Sequence, residues 1–149
     1  MSVSVFPRRA FVAAVLSGVT AASAIGLGLY GGLSMPESQD FGFSRGVKWA
    51  AQDGERLRGF LARALEDDRI HVTIFGHSGS AGDAVANFDL SVERAEVARA
   101  VAQELGITTD RMTVQGLGGG RLLPKTDGES ERAYQTRLSR VEVILQMRK

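Results

Sequence analysis

The chain has 149 residues, a formal net charge of +1 at pH 7 and no cysteine. This length indicates one domain, or one domain with a targeting segment. The lack of cysteine excludes disulfides, thiolate nucleophiles and thiolate metal sites. Residues 1–33 hold two of the 18 basic residues and none of the 17 acidic ones. The remaining chain therefore has 16 basic and 17 acidic residues, a net charge of −1, and no large positive field to bind nucleic acid.

A charge-free segment lies near the amino terminus, at residues 11–33. As a helix it measures about 34 Å at roughly 1.5 Å per residue, enough to cross a bilayer core of about 30 Å. Arg8 and Arg9 precede it and acidic residues follow it. The positive-inside rule therefore predicts a cytoplasmic segment at 1–10, a transmembrane anchor at 11–33 and a domain on the other side of the membrane.

Two targeting signals compete with the anchor interpretation. Ala-Ser-Ala at 22–24 is typical of a signal-peptidase site, and Arg-Arg-Ala-Phe-Val at 8–12 resembles a twin-arginine signal. The uninterrupted apolar length favours an uncleaved anchor. No helical register of this segment has a polar face, which argues against a buried helix of a soluble domain.

Small residues recur every four positions within the predicted anchor. They would let a second helix approach closely, either from an inner-membrane protein or from a homodimer partner. Alternatively, small residues are simply common in such segments. The segment contains no Asp, Glu, Lys, Arg or His, which disfavours an ion-conducting role. The recurring residues are Ala14, Gly18, Ala22 and Gly26.

Periodicity predicts the first elements of the remaining chain. Residues 34–39 form a polar linker, and Phe41 and Phe43 alternate with small residues as in a strand. A helix follows, with Asp53 as its N-cap. Its apolar residues fall at helical spacing: Leu57, Phe60, Leu61, Ala64 and Leu65.

Residues 70–75 alternate between two faces, which predicts a strand with one buried face. A glycine-rich loop ends it, and a second helix runs from about Ser91 to Leu105 before Gly106. Alternation predicts two further strands at 111–115 and 140–146. The order β-α-β-α-β-β predicts an α/β sandwich, with a mixed four-stranded sheet and helices on one face. The expected apolar side of the second helix is Val92, Ala95, Ala98, Val101, Ala102 and Leu105.

The loop and second helix carry a motif in fixed register. The stretch resembles the peptidoglycan-binding domain family of OmpA, Pal and MotB, which reads Gly-His-Thr-Asp-x-x-Gly and then Asn-x-x-Leu-Ser-x-x-Arg-Ala. Ser78 stands where threonine is usual, and Gly79 stands where the family has aspartate. The resemblance covers about residues 40–149. The matching residues are Gly76, His77, Gly82, Asn87, Leu90, Ser91, Arg94 and Ala95.

The resemblance implies recognition of the zwitterionic end of diaminopimelate in the wall peptide. The family aspartate binds the ammonium, and the family arginine binds the carboxylate as a bidentate fork. Arg94 keeps the second role, or else it pairs with an acidic neighbour such as Glu93 or Asp89. Gly79 cannot bind the ammonium, which costs about 1.5–3 kcal/mol unless Asp83 or Asp89 supplies the anion.

The remaining candidate residues have weaker roles. His77 matches a family position where a structural role is expected, and Ser78 and Asn87 lie in the same motif. The family ends with Asn-Arg-Arg-Val-Glu, where residues 138–142 here read Leu-Ser-Arg-Val-Glu, so Arg140 is retained. Two histidines without suitable carboxylate spacing predict no metal site, and no nucleophile–base pair indicates an enzyme or a cofactor.

Two functions follow from this reading. The first is a non-catalytic module, anchored in the bacterial inner membrane by a single span, whose periplasmic domain tethers the membrane to peptidoglycan. The alternative is a degenerate OmpA-like subunit that assembles with an inner-membrane complex and does not bind the wall. Gly79, the altered residues 138–139 and the short linker are the observations that support the alternative.

Overall fold

The computed structural model describes residues 36–148. The predicted anchor at 11–33, its small-residue face and the competing targeting signals lie outside the described residues. Within residues 36–148, no helix has the length and apolar character needed to cross a membrane.

Eight helices and strands and two short 3₁₀ turns make up the described chain. The 3₁₀ turns are Arg63–Leu65 and Thr109–Arg111. The strands and helices in chain order are β1 (Glu37–Arg45), β2 (Lys48–Trp49), α1 (Asp53–Ala62), β3 (Ile70–Gly76), α2 (Ala84–Glu104), β4 (Met112–Gly116), α3 (Glu131–Leu138) and β5 (Arg140–Met147).

The strands form one mixed sheet in the order β2-β1-β5-β3-β4. β3 and β4 are parallel, with Val72 beside Met112, and the other neighbours are antiparallel. The predicted α/β class and the four main strands are confirmed. β2 adds only two residues at one edge.

The core lies between one face of the sheet and the helices. Ile70, Val72 and Ile74 are buried on that face, as their alternation predicted. The end of β3 lies very close to α2, because a Cβ added at Gly76 would lie 1.9 Å from the backbone oxygen of Ser91. This close approach brings α2 against the loop that follows β3.

Several features differ from the sequence-based prediction. Asp53, expected as the N-cap, is the first residue of α1, whose N-cap is Gln52, and Leu65 of the expected apolar stripe is 44% exposed. α2 begins at Ala84 rather than near Ser91, because the Asp83 carboxylate caps it by accepting a hydrogen bond from the Ala86 backbone N–H at 2.8 Å. Val92, expected on the apolar side, is 37% exposed. β1 begins at Glu37, within the segment predicted as a linker. α3 was not predicted, since its sequence is mostly polar and only its last residue is buried.

Candidate binding site at Arg94

Arg94 lies in the middle of α2 and points into the end of the domain where β3 stops. Only 3% of the residue is exposed. Its Nε donates to the backbone oxygen of Gly46 at 2.9 Å, and its Nη1 donates to that of His77 at 2.8 Å. The guanidinium lies 5.1 Å from the centre of the Phe43 ring. These contacts fix the position of the side chain without an ion pair.

The alternative pairing of Arg94 with Glu93 or Asp89 does not form. Among residues 36–148, the side chain of Arg94 bonds only to backbone oxygens. Burial lowers the pKa of Arg94, and no carboxylate acts to raise it. Arginine nevertheless stays protonated at neutral pH, so the described domain buries a cation that has no anionic partner among residues 36–148.

A cavity of about 310 Å³ opens beside Arg94. Of the residues that the structure describes, three arginines and no acidic side chain line it, so it is electropositive and suits an anion. The lining residues are Phe43, Ser44, Arg45, Gly46, Arg94, Arg132, Gln135, Thr136 and Ser139.

Gln135 of α3 occupies the space beside Gly79. A Cβ added at Gly79 would lie 2.5 Å from the Oε1 atom of Gln135. That oxygen accepts hydrogen bonds from the backbone N–H groups of Ser80 at 2.9 Å and Ala81 at 3.4 Å. The Nε2 atom donates to Ser80 Oγ at 3.1 Å and to Glu131 Oε1 at 2.8 Å. A neutral carboxamide thus stands where an aspartate side chain at position 79 would begin.

Ser78 and Asn87 hold the loop between β3 and α2. The buried Ser78 donates through its backbone N–H to the Gly118 oxygen at 3.0 Å. Asn87 donates through Nδ2 to the Ala81 oxygen at 2.9 Å. Both residues therefore set the path of the loop, and neither lines the cavity beside Arg94.

His77 is fully buried and contributes its backbone to the site. Its carbonyl accepts from Arg94, while its Nε2 lies 3.7 Å from Glu142 Oε2. Neither ring nitrogen has a hydrogen-bond partner in the part of the chain that the structure describes. Burial, reinforced by the charge of Arg140, lowers the pKa of His77 to about 4, so the imidazole is neutral at pH 7. This environment fits a structural role.

Asp83 and Asp89 lie outside the cavity. The Asp83 carboxylate caps α2. Asp89 lies within α2 and is exposed, whereas Arg94, five positions further on, is buried. A step of five residues turns a helix by about 140°, so the two side chains face different ways. Neither carboxylate is placed to replace the family aspartate beside Arg94.

Arg140 belongs to a separate cluster. Its Nε lies 3.3 Å from Asp40 Oδ2, and burial lowers its pKa. Burial also raises the pKa of Asp40, although Arg140 opposes that shift. The two line another cavity of about 310 Å³, together with Arg121 and Glu142. Arg140 therefore does not join Arg94.

Sequence reasoning missed three residues of the site: Arg45, Arg132 and Gln135. Arg45 ends β1, and the other two lie on α3. The available signal for α3 was Ser130, whose hydroxyl accepts from the Ala133 backbone N–H at 3.2 Å and caps the helix. Without that helix, nothing in the sequence placed its side chains opposite Gly79.

This arrangement defines an α/β domain with an arginine pocket beside the loop after its central strand. The OmpA family model matches residues 51–136, which is more than half of the chain. The chain therefore belongs to the OmpA family. A search of curated proteins found no significant match.

Several solved structures share the fold. The peptidoglycan-associated lipoprotein of Burkholderia pseudomallei is 24% identical with a TM-score of 0.59, and the match covers 73% of this chain and 89% of that one. The OmpA-like domain of FopA1 from Francisella tularensis is 19% identical with a TM-score of 0.62, covering 76% and 77%. The C-terminal domain of Helicobacter pylori MotB is 14% identical with a TM-score of 0.62, covering 74% and 85%.

Proposed function

We propose that this chain is a non-catalytic module that binds the peptide stem of peptidoglycan, with Arg94 holding a carboxylate of diaminopimelate. The buried guanidinium of Arg94, which has no anionic partner within the described domain, carries this proposal. A buried cation is costly unless it is paired. A ligand carboxylate would provide the missing partner and charge-assisted hydrogen bonds.

The ammonium half of such a ligand has no carboxylate in the cavity. Gly79 lacks a side chain, and Asp83 and Asp89 lie elsewhere. Losing one charge-assisted bond weakens binding by about 10- to 100-fold relative to a site that retains the family aspartate. The proposed module is therefore a weak wall binder.

The proposed location is the bacterial inner membrane, with residues 11–33 as a single span and the domain in the periplasm. The charge-free segment and the preceding arginines support this orientation. The name of the Burkholderia relative, a peptidoglycan-associated lipoprotein, is consistent with a wall-facing domain.

Retention on purified peptidoglycan tests the proposal. The full-length chain in mild detergent is expected to sediment with insoluble peptidoglycan at low salt and to remain soluble without it. Arg132→Ala is expected to reduce retention, because it removes a cation that lines the cavity. Arg99→Ala is the matched control, since Arg99 lies on α2, pairs with Glu96 and does not line the cavity. Wild-type protein that stays in the supernatant would sink the idea.

The second candidate is an interaction subunit of an inner-membrane complex. Three apolar residues of α2 are exposed at helical spacing: Val85 (69%), Phe88 (50%) and Val92 (37%). With β1 starting at Glu37, only residues 34–36 separate the sheet from the predicted span. Such a segment extends at most about 11 Å, which limits the reach of the domain toward the wall.

Purification from native membranes distinguishes this candidate. The interaction role predicts a stoichiometric membrane protein that co-purifies with wild type and is lost with Phe88→Ser. Glu93→Ser is the control, an exposed change on the same helix outside the apolar stripe. Recovery of the chain alone would contradict the interaction role.

A further inference from the structure

We propose that the Arg94 pocket selects a carboxylate with no ammonium group beside it, and that Gln135 sets this preference. The ligand class is the carboxyl terminus of a peptide, whose neighbouring nitrogen is a neutral amide. This inference rests on the proposed binding function of the same pocket and changes the chemistry of the preferred ligand.

The first argument is the charge of the cavity. It is lined by Arg45, Arg94 and Arg132 and, among residues 36–148, by no acidic residue. An ammonium beside the bound carboxylate would enter a cavity whose formal charges are all positive. The ammonium and the arginine side chains would repel each other, and their partly buried setting would strengthen that repulsion. A neutral amide nitrogen avoids it.

The second argument is that Gln135 has no free acceptor for an ammonium. Both acceptor positions of its Oε1 are used by the backbone N–H groups of Ser80 and Ala81. A carbonyl oxygen has two lone pairs, so a third donor must displace one of these bonds. Gln135 therefore occupies the position expected for the ammonium and has no free acceptor to bind that group.

The third argument concerns Glu131, the nearest acid bonded to this group. Its Oε1 accepts from Gln135 Nε2 at 2.8 Å, and its Oε2 pairs with Lys125 Nζ at 2.9 Å. Glu131 does not line the cavity. Its charge is already matched by Lys125, so it does not supply a free anion to the pocket.

The neutral polar groups of the cavity suit an amide neighbour. Ser44, Thr136 and Ser139 line it beside the arginines. Hydroxyl oxygens accept from an amide N–H without requiring a charge. A peptide carboxyl terminus thus presents an anion to Arg94 and a neutral donor to its surroundings.

A pair of ligands that differ in one group tests the preference. Calorimetric titration would use the full-length chain in detergent, with a diaminopimelate tripeptide in which every carboxylate except the one beside the free side-chain ammonium is amidated, and the same peptide N-acetylated on that ammonium. The acetylated peptide is expected to bind at least about 5-fold more tightly, a modest difference for one uncompensated charge. Raising the salt concentration should narrow the difference.

Two variants assign the effect to the pocket. Gly79→Asp with Gln135→Ala supplies an anion and removes the carboxamide, so it is expected to reverse the preference. Arg99→Ala should bind both peptides as wild type does. Circular dichroism and thermal unfolding establish that each variant is folded.

The outcomes separate this inference from the proposed function. Equal or tighter binding of the free ammonium form by wild type overturns the preference. Binding of neither peptide at millimolar concentration also overturns it, even if the protein is retained on peptidoglycan. Tighter binding of the acetylated peptide supports the preference, even if retention on peptidoglycan fails and the wall-binding role is lost.

Discussion

At position 79, the space that a side chain would occupy is filled by a residue of another element. Gly79 leaves space that the Gln135 carboxamide fills, and Gln135 bonds to the backbone of the following loop. The backbone at Gly79 does not have a positive φ, so an aspartate there is not strained by its conformation. The obstacle is the far end of a flexible side chain, which can move.

Gly79→Asp is expected to fold with a loss of less than about 1 kcal/mol in unfolding free energy, the scale of one neutral hydrogen bond. Its affinity for the free-ammonium diaminopimelate tripeptide should rise less than that of Gly79→Asp/Gln135→Ala, because the single variant must first displace Gln135. The double variant should bind about 10-fold more tightly than wild type. Urea unfolding and calorimetry measure the two quantities. No increase in the folded double variant would show that the ammonium position is not beside residue 79.

His77 makes stability depend on pH. Its folded pKa is lowered to about 4, below the ordinary value of 6.5, so the unfolded chain binds the extra proton more readily. The stability from neutral burial is complete above pH 6.5 and is lost as pH falls toward 4. The total change is about 3 kcal/mol at roughly 1.4 kcal/mol per pKa unit.

Urea unfolding at several pH values measures this dependence. His77→Gln is expected to flatten the curve between pH 6.5 and 4, since glutamine does not titrate there. His71→Gln provides the comparison, because His71 is less buried and its pKa is lowered less. An unchanged slope in His77→Gln would assign the dependence to other groups.

At the scale of elements, the approach of α2 to the sheet positions Arg94. Gly76 ends β3 against the backbone of α2, where the site for a Cβ lies 1.9 Å from Ser91 O. This contact is with backbone, so no side-chain movement relieves it. The helix must shift to accept any larger residue, and Arg94 shifts with it.

Gly76→Ala is therefore expected to destabilise the domain by about 3 kcal/mol, at the upper end of overpacking costs. Gly59→Ala is the matched control on α1, where a Cβ meets no atom within 4 Å. It should be neutral or stabilising by about 0.5–1 kcal/mol because alanine favours helix. Thermal and urea unfolding of both variants measure the difference. Equal stabilities would contradict the close packing of β3 and α2.

Elements differed in how well the sequence predicted them. β3 was predictable because its alternation reflects one buried face, and Arg94 was predictable because the motif register fixed it. The start of α2 was missed because its first turns expose Val85 and Phe88 and so lack an apolar stripe facing the core. α3 was missed because it buries only Leu138. Gln135, which decides the chemistry of the pocket, lay on the element with the weakest sequence signal.

At the scale of the whole described domain, the chain enters the sheet at the first residue of β1, and the pocket lies at the opposite end of that strand. Glu37 pairs with Leu145, and Gly42 pairs with Arg140 further along β1. Phe43 to Gly46, at the far end, then line the cavity. At about 3.3 Å per residue, the strand separates its first residue from the pocket-lining residues by roughly 20–30 Å.

This layout has a mechanical consequence. If the chain is held at residue 36 and a ligand is held in the pocket, tension runs along β1. The hydrogen bonds between β1 and β5 lie perpendicular to the strands. A force along β1 therefore acts on all of these bonds at once, in shear, and does not break them one after another. The bond from Arg94 to the Gly46 oxygen joins the side chain proposed to hold the ligand to the turn after the same strand. A tether built in this way should release its ligand before its sheet separates.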